Sequence, residues 1–170
     1  MKISGNTTVK QLLAMVKKCK SEKSVEDLRF NIQDALMGAA GNCLDLINEE
    51  SYIESNGKPY IRFEMVRLFS DCYGYSISPI IQDGQITVIG NLDHFHDELG
   101  MSSKNYSAVK GWDDDEITLY PEDRLGVVMA RAVNLMLAAH KKLIEDVGVP
   151  SHIAKKTAEE SWGGPVFAEV

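Results

Sequence analysis

Cysteine is scarce in this 170-residue chain, and the three present, Cys19, Cys43 and Cys72, are odd in number, widely spaced and without a CxxC pair. That excludes a disulfide framework and a zinc ribbon, and the expected state is reduced, mostly buried thiols. No apolar run approaches the roughly 20 residues a membrane span requires. The chain opens Met-Lys-Ile-Ser-Gly with no apolar segment of the signal-peptide kind, so a cytoplasmic location is expected. Also missing are GxSxG, HExxH, a glycine-rich phosphate loop between strand and helix, and a cysteine in a His/Asn setting. The common nucleophile, zinc-protease and P-loop chemistries therefore have no local signature. There is no internal repeat and no low-complexity linker.

Excess positive charge is lacking as well. The net charge is −7, and it is unevenly spread: residues 1–30 carry seven basic and three acidic side chains, residues 31–130 six and seventeen, and residues 131–170 five of each. An acidic middle of this size repels phosphate backbones, so nucleic acid is not an expected partner.

What is present is an ordinary globular composition, 44% apolar and 25% charged, at a length suited to a single domain over residues 1–170. Residues 121–147 carry the strongest pattern. Pro121 suits a first helical position, Glu122 and Asp123 suit the positive end of the dipole, and Gly148 with Pro150 reads as a stop. Leu125, Val128, Ala132, Leu135, Ala139 and Leu143 make one apolar stripe, and Ala130, Val133, Leu137, Ile144 and Val147 a second beside it. A helix apolar over most of its girth must be covered on several sides. The predicted fold is α+β, helix-rich, packed around this one long central helix, with a small antiparallel sheet.

The sheet is predicted from residues 75–89, where two β-rich runs flank Asp83-Gly84, a dipeptide suited to a two-residue hairpin turn. That turn pairs Ile81 with Ile86 and Pro79 with Val88, and it predicts an edge or a bulge at Pro79. A third strand is expected over residues 116–120. Elsewhere the spacing predicts a helix capped by Thr7 or Thr8 through about Lys20, and a second from Ser24 to about Glu50, interrupted at Gly38-Ala39-Ala40-Gly41. Residues 60–73 fit both periods, with Pro59 and Gly74 favouring helix. Short helices are expected over residues 92–99 and 151–161, with a surface loop over residues 100–112.

Two clusters could carry function. Asp93, His94, His96 and Asp97 are the densest metal-capable set, suited to Zn, Mn or Fe if Glu64, Asp71 or His140 joined them; alternatively Leu92, Phe95 and Leu99 are simply the buried stripe of a short helix. Trp112, Asp113, Asp114, Asp115 and Glu116 form the sharpest charge feature, readable as a partner-binding surface, a Mg²⁺ or Mn²⁺ site, or a solvated loop. The function these features favour is a non-catalytic protein-interaction or inhibitor module that meets a basic partner through an acidic surface and needs no cofactor. The rival is a phosphohydrolase or other nucleotide-handling enzyme that depends on a divalent metal. Small residues in the second helix and the apolar girth of the long one predict a homodimer.

Overall fold

The turn at Asp83-Gly84 sets the sheet. In a computed structural model that describes residues 2–40, 44–68, 73–94 and 115–142, Asp83 and Gly84 both take positive φ, 51° and 72°. That is the twist-matched turn joining two strands by two residues. It links β3 (Tyr73–Gln82) to β4 (Gln85–His94) in the expected register, with Ile81 opposite Ile86 and Pro79 opposite Val88.

The sheet is larger than expected. β1 (Asp45–Ile53) and β2 (Pro59–Leu68) precede the hairpin, and β5 (Asp115–Glu116) follows it, giving an antiparallel meander in the order β1-β2-β3-β4-β5. Residues 60–68 are thus strand, not the helix that Pro59 and Gly74 favoured. The alternation of Ile61, Phe63 and Met65, all buried, decides it, because neighbours pair with β2 on both sides. β3 is consequently an interior strand, and the edge expected at Pro79 is not there. The missing N–H of Pro79 shows instead in the β2–β3 ladder, where Ile61, Arg62, Met65 and Val66 have partners and Phe63 and Glu64 have none.

The second helix also ends early. α2 (Glu22–Ala40) starts three residues before Ser24, because Ser21 and Ser24 form a reciprocal cap: each hydroxyl accepts the other's backbone N–H, at 3.1 and 3.0 Å. It stops at Ala40, and residues 45–50, expected to be helical, are β1. Ile47 seemed to continue the helical stripe, yet it is the extra residue of a bulge between Leu46 and Asn48 and is 59% exposed.

α1 (Val9–Lys17) is capped by Thr8 with Gln11 in a full capping box. Its next free donors are met from across the molecule: Val9 N–H bonds the carbonyl of Asp123 and Lys10 N–H that of Pro121. The N-terminus of α3 (Leu125–Lys142) is met in turn by the carbonyls of Thr7 and Gly5. This mutual capping explains why α3 begins at Leu125. Pro121 lies in a turn and the carbonyls of residues 121 and 123 are spent on α1. A Cβ on Gly126 would sit 3.3 Å from the Gly5 carbonyl oxygen, so the two N-termini meet through glycine.

α3 does not organise the fold alone. It is matched in length by α2, and the two pack on each other, with α2 also on β1 and β2, and α3 and α1 on β4. Its buried side includes Met129 and Met136, while Leu135 is half-buried and Leu137 is 36% exposed. The core between helices and sheet also holds Leu12, Ile32, Phe63, Tyr75 and Ile77. Residues 143–147 of the expected long helix lie outside the described residues, as do the expected loop at 100–112 and the expected helix at 151–161. Among the described residues, no helix is long and apolar enough to cross a membrane.

Candidate functional site: a groove along the β4 edge

The two edges of the sheet differ. At β1 the edge is blunted: Glu22, the first residue of α2, accepts the Ile53 N–H at 2.9 Å. Buried Arg29 reaches across from α2 to donate to the Ser51 hydroxyl at 3.0 Å and to pair with Glu49 at 3.4 Å, its guanidinium lying over the Phe30 ring. Charge, bulge and side-chain cover are the ordinary means of closing a sheet edge.

The β4 edge is closed only in part. β5 pairs with Ile89 and Gly90, and Ile117 N–H still bonds the Val88 carbonyl at 2.8 Å. The chain then leaves the sheet. Continuing the register would set Leu119 against Ile86, and among the described residues no backbone bond joins them. Between the diverging segments lies a groove of about 1150 Å³. Its floor is the β4 edge at residues 85–87, one wall is α1 with Lys10, Leu13, Ala14 and Lys17, and the other is residues 118–122.

The second wall is braced from behind. Asp123 accepts two bonds from Arg131 of α3 and one from the Tyr120 N–H at 2.8 Å. Arg131 also donates to the Thr118 carbonyl and lies over the Tyr120 ring. The Arg131 guanidinium holds the Asp123 carboxyl below its ordinary range, and the carboxylate raises Arg131 in return. The wall is therefore a fixed element of the site.

The groove carries opposite charges on its two sides. Lys10 and Lys17 rise from α1, with Glu116 and Glu122 across from them. Its lining is mixed, with apolar Leu13, Ile86 and Leu119 between the charges. A volume above the 300–1,000 Å³ usual for small-molecule sites suits a length of chain better than a compact metabolite.

The residues singled out from the sequence fall elsewhere or at the margin. Asp93 and His94 end β4, opposite Gly74 and Tyr73, so the helix expected over 92–99 is not formed at 92–94; His96 and Asp97 lie outside the described residues. Among the described residues, no three of His, Cys, Asp and Glu stand close enough to share a metal ion. Trp112, Asp113 and Asp114 lie outside the described residues. Asp115 and Glu116 form β5, so this end of the acidic run is strand, and the exposed Glu116 stands at the groove. Sequence reasoning missed Lys10, Lys17, Ile86 and residues 118–122. The lysines were visible but fitted a solvated helix end equally well. No known protein family, curated protein or solved structure matches the chain.

Proposed function

We propose that the chain is a non-catalytic protein-interaction module that receives a segment of another protein in the groove between α1 and the β4 edge. The observation that carries this reading is the open stretch of sheet edge at the groove floor, in a molecule whose opposite edge is covered. An uncovered edge exposes backbone donors and acceptors that a partner chain can pair, and sheets that serve no binding role usually block it. The acidic run joins the site through Glu116, where a basic side chain of the partner would be met and association hastened.

Ala14 is exposed on the α1 wall, so Ala14→Trp fills the groove without disturbing the core. A displayed library of random peptides selected on the chain should yield ligands of about micromolar affinity, and Ala14→Trp should weaken them at least about tenfold while leaving the melting temperature near that of the parent. A library that yields no ligand, or ligands indifferent to Ala14→Trp, would contradict the proposal.

A further inference from the structure

We infer that the groove takes its partner as an extended strand added to β4 at Ile86, with acidic side chains turned toward Lys10 and Lys17. This rests on the groove being the binding site and specifies how the partner lies in it.

The direction of the Ile86 backbone groups follows from the neighbouring bonds. The Val88 carbonyl accepts from Ile117, so the polar groups of Val88 face away from β3, as they must opposite Pro79, which has no N–H to exchange. In an antiparallel pair this direction alternates, so the N–H and C=O of Ile86, two residues back, also face away from β3 and into the groove. Those of Gln85 and Thr87 face Gln82 and Ile80. Among the described residues no backbone group pairs with Ile86 on the groove side. A strand set opposite Ile86 would exchange two hydrogen bonds with it and continue the sheet in the place that residues 118–120 vacate.

Side-chain chemistry then selects the strand. Ile86 and the buried Val88 share the helix-facing side of β4, so the partner residue opposite Ile86 points toward Leu13 and Ala14 and should be apolar. Lys10 and Lys17 are seven residues apart on α1, about 10.5 Å along its axis. Helix-facing strand residues four apart are separated by about 13 Å, within reach of two flexible lysine stems. The pattern that fits is an apolar residue with an acidic residue two positions to either side. Neither lysine is ion-paired among the described residues.

The probe is a capped nine-residue peptide with valine at its centre, glutamate two positions to either side, and threonine between and beyond. Its counterpart carries lysine for both glutamates. Binding of the glutamate peptide should slow hydrogen exchange of the Ile86 amide at least about tenfold and leave Gln85 and Thr87, already bonded to β3, unchanged. N-methylation of the central valine should weaken binding about tenfold, and the lysine peptide should bind at least about tenfold more weakly. If the peptide binds and is displaced by Ala14→Trp, yet Ile86 exchange does not slow, strand addition is wrong while the groove remains the site. Binding that survives Ala14→Trp overturns both readings. Equal affinity of the two peptides overturns the acidic preference, and no binding by either at about 1 mM overturns the inference.

Discussion

Gly90 shows how closely single residues are fitted here. Tyr75 is 1% exposed, and its ring lies across Gly90, where a Cβ would stand 2.2 Å from the phenol oxygen and 2.9 Å from two ring carbons. Gly90→Ala should therefore cost about 1–3 kcal/mol by overpacking, read as a lower denaturant midpoint. Adding Tyr75→Phe removes the nearest clashing atom, so the double variant should be more stable than the additive sum of the single changes. A second residue-scale test concerns Asp123. Its ordinary pKa of 3.8 is lowered by Arg131 in the folded chain, so the protonated form is disfavoured there. The stabilisation is then fully present above the ordinary value and lost as pH falls through the lowered one. Asp123→Asn should cost about 1–2 kcal/mol at neutral pH, and the gap from the parent should close in acid below the usual carboxylate range. Denaturant melts at the two pH values check it, and a gap that stays constant or widens in acid would refute it.

At the scale of elements, the hairpin was legible because its information is local. Asp83-Gly84 permits few turns, and the register of ten residues on either side follows from it. β1 and β2 were not legible, since coincidences of period hid them. Ile47 sits at helical spacing from Leu44 but is a bulged strand residue in water, and Ile61, Met65 and Leu68 satisfy a helical period while pairing as strand. The start of α3 was misplaced for another reason. Pro121 is a good first helical residue, and only the distant α1 uses its carbonyl for something else. The buried side of α3 gives a direct check. Met129→Ala, at a position with no exposure, should cost about 2–5 kcal/mol, whereas Leu137→Ser on the outer side should stay near 0.5 kcal/mol. Comparable losses at both positions would mean that the two-stripe reading of the helix was right after all.

On the scale of the whole molecule, the chain is an antiparallel sheet with helices on one face and unlike edges. One edge is shut by α2 through Glu22 and Arg29, and the other opens into a groove whose wall is held by Asp123 and Arg131. No single stretch of sequence announces that groove. α1, residues 85–87 and residues 118–122 are brought together only by the mutual capping of α1 and α3 and by the path of the chain leaving β4 after Ile117. What the sequence did carry is the acidity of the central region, which reaches the groove at Glu116. The central claim is that this groove receives a partner segment, and backbone amide shifts of the isotopically labelled chain, recorded as a library-selected peptide is added, test it most directly. The predicted result is saturable change concentrated at residues 9–17, 85–87 and 116–122, absent in Ala14→Trp. Changes centred instead on the outer face of the sheet around Tyr52, Tyr60 and Arg62, or spread without pattern, would contradict it.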